Sequence, residues 1–338
     1  MPRMKAREFP QNPVLVRVRR GGRTESQHRG ALVAVRDGRV VAARGDAEFP
    51  VFVRSAAKPL QVLPLLESGA ADRFGVTEEE IALACASHDG SDDHARVARS
   101  LLDRGGFTEA DLRCGSHPSL DPEVASSLDA AGVRPSPLRN NCSGKHAAFL
   151  LLARHLGEPK ERYLDPDGAS QRAVREAVAA ACGLRGDDLP LATDGCSAPT
   201  FAIPLRALAG AYAALTTPDE PVARGEASAR VCGAIRAHPT TFAGERRFDT
   251  RLQRATGGRL LSKVGAEGVH AVGVVGGGTG VALKIDDGTG RARAPVLLAL
   301  LRALGLLSDE ELGSLGPSAD TVLRNHAGLP VGEVEVSL

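Results

Sequence analysis

Two short segments place a serine where a lysine can reach it. In RSAAKPLQ, residues 54–61, Ser55 stands three residues before Lys58. At a helix start that spacing puts both side chains on one face, one turn apart. A lysine made neutral by burial or by nearby cations can then take the serine's proton. The plain alternative is a capping serine followed by a solvated lysine. In ASHDGSDDH, residues 86–94, Ser87 and His88 close an apolar helical run, ahead of Asp89, Ser91 and two more acids. Capping explains Ser91 and the acids; it does not explain the Ser87–His88 pair. A third segment, SKVGAEG, sets Lys263 on a resuming strand, two residues before Gly265. A lysine facing inward there needs a partner, because an isolated buried charge is costly. An edge-strand lysine guarding against aggregation is the other reading.

The order Ser-x-x-Lys, separate serine, Lys-x-Gly strand is that of serine β-lactamases and penicillin-binding proteins. Val264 stands where those proteins carry threonine, and Ser87 is not followed by x-Asn. The analogy is therefore one of architecture and not of substrate.

NNCSGKH and TDGCSAP are polar, glycine-containing turns beside apolar runs, each with one cysteine. Cys142, Lys145 and Cys196, with Asp194 nearby, could face one another, and thiolates suit Zn²⁺. The spacing matches no standard zinc motif, so two buried thiols with Lys145 at a helix cap is the competing reading. GVVGGGTG, residues 273–280, has the glycines of a phosphate loop but lacks its Gly-Lys-Ser/Thr ending and leads into a strand. It reads as a hairpin. Glu25 and His28 in RTESQHRG are expected in a turn between strands.

These groups need a scaffold. The chain of 338 residues suits one large domain or two ordinary ones. Opening strands with turns at Gly21-Gly22 and Asp37-Gly38 predict antiparallel hairpins. A helix is expected from about Ser55, with Pro59 and Pro64 near first turns or kinks. Thr77 reads as the N-cap of a helix running to Ser87, and a further helix should end at Gly105. Residues from about 120 to 235 are Ala-rich and helical in pattern. Strands resume near Leu260, a helix follows in APVLLALLRALG, and GEVEVSL forms a last strand. Strands at both ends with helices between predict an α+β layout. Its antiparallel sheet draws on approximately 12–60 and 240–335, and a mainly helical lobe on approximately 61–239. Both belong to one catalytic unit over 12–335.

Composition narrows the function. With aromatics at 3% and no Trp, stacking platforms for single-stranded nucleic acid are not expected. A net charge of +1 recruits neither nucleic acid nor a membrane surface. Six scattered cysteines read as reduced thiols. No apolar run is long enough to span a bilayer, and MPRMKAREFPQNP lacks the apolar stretch of a secretory leader. A cytoplasmic protein is expected.

Taken in order, ESQHRG, RSAAKPLQ, ASHDGSDDH, NNCSGKHAA, TDGCSAPTFAIPL, RFDT and SKVGAEGV resemble the rhizobial-type L-asparaginases, the asparaginase II family. The resemblance runs from about residue 12 to 335 and implies a β-lactamase/transpeptidase-like fold. It implies hydrolysis of the side-chain amide of L-asparagine through two serine–lysine pairs, Ser55 with Lys58 and Ser87 with Lys263. Arg54 and His88 would flank the pocket as substrate-binding residues. Zn²⁺ would be held by Cys142, Lys145 and Cys196, with Asp194 contacting through water. A homodimer is expected. The alternatives are a glutaminase, a penicillin-recognising serine hydrolase or peptidase, and a non-catalytic amino-acid-binding protein.

Overall fold

The computed structural model describes residues 8–217 and 225–338. Most of the amino-terminal stretch read for a leader lies outside them. The chain divides into two compact units. One takes the chain up to Ala56, Ile203–Ala213 and Arg251–Leu338; the other takes Ala57–Ala202 and Ala214–Thr250.

The first unit is an antiparallel sheet covered by helix. Val14–Arg20 turns through Gly21-Gly22 into Arg23–Arg36, which turns through Asp37-Gly38 into Arg39–Arg44. All four turn residues have positive φ, as type I′ hairpins require. Arg23–Arg36 is one long strand. Its first half pairs with Val14–Arg20 and its second with both Arg39–Arg44 and Thr279–Ile285. Glu25 and His28 therefore sit within a strand and not in a turn. The sheet continues through Val269–Val274 to Leu260–Val264, and on its other side through Pro330–Val336 to Val322–Arg324. Strands from both chain ends thus share one antiparallel sheet, as the α+β pattern predicts. GVVGGGTG is the hairpin joining Val269–Val274 to Thr279–Ile285. The helix Leu205–Leu215 approaches this sheet closely at Gly280, where an added Cβ would lie 1.9 Å from the Ala209 carbonyl oxygen. Only glycine permits that approach.

The second unit is mainly helical, with a core of Ala, Leu and Val as the composition demands. Its central helix, Ser143–His155, is buried from Ser143 to Ala153. Around it run Glu78–Ala84, Asp92–Arg104 and Ala169–Ala181, and Gly225–Ala237 packs on Glu78–Ala84. Thr77 caps Glu78–Ala84 in a capping box with Glu80, and Ser91 caps Asp92–Arg104, which ends at Gly105. The expected helix from Ser55 is broken into a 3₁₀ turn Arg54–Ala57 and short helices Lys58–Gln61, Leu63–Glu67 and Ala70–Arg73. Pro59 and Pro64 each occupy a first turn, the one place where a missing N–H costs little. The helix after Thr77 stops at Ala84, three residues short of Ser87. There Ser87 donates its N–H to the Phe242 carbonyl, 3.2 Å away, instead of back along the helix.

Candidate active site

In the helical unit, Lys58 is buried, at 1% exposure, and its Nζ meets three oxygens. It donates to the carbonyls of Ala86 and of Asn141, the latter at 3.0 Å, and lies 3.0 Å from Ser87 Oγ. Within this unit the hydroxyl that Lys58 reaches is that of Ser87, a contact across 29 positions that spacing alone does not show. The reason is tertiary. The four-carbon stem carries the amine to two carbonyls left outside helical bonding, one just past Glu78–Ala84 and one in the turn before Ser143. Two N–H groups are taken up by those carbonyls. The third tetrahedral direction faces the Ser87 hydroxyl, as an N–H in the ammonium or as a lone pair in the amine.

The turn Asn140–Ser143 organises this corner. Asn140 Oδ1 accepts from the Cys142 N–H at 2.8 Å, and its Nδ2 donates to the Cys114 carbonyl at 2.9 Å. Cys142 Sγ lies 3.3 Å from Asn141 Oδ1. The Asn141 N–H donates to His117 Nε2 at 3.2 Å, and His117 Nδ1 donates to the Pro118 carbonyl. His117 also walls a cavity of about 380 Å³ with Leu128, Val133 and Arg139. None of Asn140, Asn141, Ser143 and His117 was singled out from the sequence. The Asn-Asn pair before a buried helix was the available signal.

His88 is fully buried. Its Nδ1 accepts from the Gly90 N–H at 3.1 Å and its Nε2 lies 2.9 Å from Ser143 Oγ. Both ring nitrogens thus have protein partners. Burial, then the neighbouring His94, Lys58, His117 and Arg247, hold its pKa well below the usual histidine range.

The cysteine cluster lies at the start of the same helix. Lys145 Nζ is 3.3 Å from Cys196 Sγ, and Cys142 hydrogen-bonds Cys196. That bond from Cys142, opposed by burial and aided by Lys145 and His146, holds the Cys196 thiol far below its ordinary pKa. Burial would lower the Lys145 pKa; Cys196, Cys142 and Asp194 outweigh it and raise it to about 12. Asp194 opens a tight turn. Its carbonyl accepts from Ser197 N–H at 2.9 Å, and Ser197 holds φ +69° beside Cys196. His146, 0% exposed, has Nδ1 2.9 Å from the Tyr163 hydroxyl. Among the described residues no group of three or more His, Cys, Asp and Glu side chains could hold a metal ion. Counting the amine changes this. Cys142, Cys196 and Lys145 would supply two sulfurs and an amine nitrogen, donors that suit Zn²⁺ once Lys145 gives up its proton.

Arg54, Ser55 and Lys263 belong to the sheet unit. Arg54 is one of few non-glycine residues with positive φ, at +49°, directly before Ser55. Strain of this kind is held only where the surroundings impose it. The turn that carries Ser55 is anchored by Tyr212, whose hydroxyl donates to the Ala56 carbonyl at 2.7 Å. Lys263, 1% exposed on Leu260–Val264, donates to the Val264 carbonyl at 2.9 Å. Its neighbour Ser262 lies 2.8 Å from His270 Nε2.

The L-asparaginase II family model matches residues 16–336. Comparison with curated proteins gives no match. Among solved structures, one titled "Crystal Structure Analysis of Mglu" shares 16% identity, with a TM-score of 0.47 over 82% of this chain and 67% of that one. A second, "Crystal Structure Analysis of Mglu in its glutamate form", shares 15% identity, with a TM-score of 0.46 over 82% of this chain and 61% of that one. The chain thus spans about two thirds of the length of the solved chains it matches. With nearly its whole length matched by that family model, the chain belongs to the L-asparaginase II family.

Proposed function

We propose that this protein hydrolyses the side-chain amide of L-asparagine to L-aspartate and ammonia through a serine nucleophile with a lysine base. Membership of an amide-hydrolysing family supports the reaction. The observation that carries the chemistry is the buried contact between Lys58 Nζ and Ser87 Oγ at 3.0 Å. As a free amine Lys58 keeps two N–H bonds to Ala86 and Asn141 and turns its lone pair to the serine. Ser87 Oγ then attacks the amide carbon while its proton passes to Nζ. The resulting ammonium has three acceptors in place and can return a proton to the leaving ammonia. Water hydrolyses the acyl-enzyme with Lys58 again as base. Ser55 and Lys263 are kept in the proposal as the second serine and lysine of the reaction, and Arg54 and Asp194 as substrate-binding residues.

Cys142, Lys145 and Cys196 are proposed to hold Zn²⁺. Its chemistry there would be to bind the substrate's α-amino and carboxylate groups. A homodimer and a cytoplasmic location complete the reading. No described helix is long and apolar enough to cross a membrane, and no disulfide joins the cysteines. Ammonia release from Asn and from Gln, compared in wild type, Ser87→Ala and Ser55→Ala, tests the assignment. Full turnover in Ser87→Ala would remove Ser87 as nucleophile, and preferential release from Gln would favour a glutaminase.

A further inference from the structure

We propose that His88 is a positioning residue for the reaction, acting through Ser143 to fix Ser87 against Lys58. The inference rests on the reading of Ser87 and Lys58 as the reacting pair.

The hydrogen bonds settle the ring's tautomer. Nδ1 accepts the Gly90 N–H, so the proton is on Nε2, which donates to Ser143 Oγ. His94 stacks on the ring, centroids 4.7 Å apart and planes 15° apart. It is fixed the same way: its Nδ1 accepts from Ser91 and its Nε2 donates to the Thr240 carbonyl at 2.9 Å. Neither ring can rotate without losing a backbone partner.

Ser87 and Lys58 come from separate stretches of chain, yet one turn holds both. The Asn141 carbonyl takes Lys58 Nζ, and two residues on Ser143 Oγ takes His88, the residue after Ser87. The turn in turn presses on the helix that leads to Ser87, since a Cβ on Gly144 would lie 2.3 Å from the Leu83 carbonyl oxygen. The Ser87 N–H is tied to Phe242. The peptide on the other side of Ser87 has the His88 ring as its anchor. Loosening that anchor frees the hydroxyl to drift from the amine, and a displacement of about 1 Å costs up to roughly a hundred-fold in rate.

Three variants test this. His88→Asn keeps an acceptor for Gly90 but cannot reach Ser143; kcat should fall roughly ten- to hundred-fold with KM within about three-fold. Ser143→Ala, which removes a single oxygen, should fall by a similar factor. His88→Gln restores a donor at the Nε2 position and should recover most of kcat. His88→Asn combined with Ser143→Ala should be no worse than either alone, since both break one bond. A raised KM at unchanged kcat in His88→Asn, or effects of the two substitutions that multiply, would overturn the proposal. Should Ser87→Ala retain wild-type turnover, the reading of the reacting pair and this inference fall together. Should Ser87→Ala be inactive while Ser143→Ala keeps full kcat, only the inference falls.

Discussion

Lys58 Nζ lies 3.0 Å from Ser87 Oγ, although 29 positions separate the two residues in the chain. Both are buried, at 1% and 4% exposure, and the lysine's remaining partners are backbone carbonyls. A structural lysine so placed would bridge loops; a base so placed would activate the serine. The two roles separate on substitution. Lys58→Met should lower kcat for ammonia release by roughly 10²–10⁴, the usual contribution of a positioned general base. Substrate affinity should change much less. A variant that folds and turns over within a few-fold of wild type would reduce Lys58 to a bridge.

The contrast with the sequence pattern is instructive. Turn chemistry was local and therefore legible: Gly21-Gly22 and Asp37-Gly38 made the hairpins, and Thr77 and Ser91 made the caps. Strands at both termini pointed to the shared sheet because alternation and glycine spacing are local too. The partner of Lys58 was not local. Spacing shows only the nearby Ser55; the contact with Ser87 depends on the carbonyls of Ala86 and Asn141, which tertiary packing places. The same holds for His88: its contact with Ser143 Oγ joins residues 55 positions apart and no local pattern announces it. The helix that ends at Ala84 rather than at Ser87 is a third case, decided by the Phe242 carbonyl.

Gly144 tests how tightly the turn before the central helix is held. Helix propensity alone favours alanine over glycine at a helical position by about 1 kcal/mol. Sterics oppose it, because the new Cβ would meet the Leu83 carbonyl oxygen at 2.3 Å and the Leu83 side chain at 2.7 Å. Backbone cannot move aside cheaply, so Gly144→Ala should destabilise by about 1–3 kcal/mol in urea unfolding. Because Leu83 leads to Ser87, kcat should fall as well. An unchanged or raised midpoint would show that the two segments are free to separate.

The cysteine cluster gives a prediction on metal removal. With two sulfurs and one amine as donors, Cys196→Ser and Cys142→Ser should each lose most of the bound zinc, measured by mass spectrometry of the purified protein. If the metal serves to orient the substrate, chelator-treated wild type should show a raised KM with kcat largely kept. Loss of kcat at constant KM would assign the metal to the chemical step. Wild type purified without zinc and unresponsive to added zinc would leave the cluster as a buried thiolate–ammonium pair.

Two buried carboxylates in the helical unit should give opposite pH signatures. Burial raises the pKa of Asp89 to about 6, against the opposing pull of Arg247, whose Nε is 3.5 Å from it. A raised acid favours folding while protonated. Its contribution is complete below the unfolded value near 3.8 and is lost as the pH rises through about 6. Asp89→Asn cannot ionise, so its stability relative to wild type should climb between pH 4 and 6 and level off above. Glu80 behaves the other way. Burial pushes it up, but Arg104, the Thr77 N–H and Ser100 together bring it below 4.5. Its contribution is present above that value and fades as the pH falls through the lowered one. Glu80→Gln should therefore be destabilised at pH 7, where the carboxylate 2.6 Å from Arg104 Nε becomes a neutral amide, and should approach wild type in acid. Thermal unfolding of the three proteins from pH 3.5 to 8 reads both curves. Parallel lines for Asp89→Asn and wild type would show that Asp89 titrates in the folded protein as it does in the unfolded one.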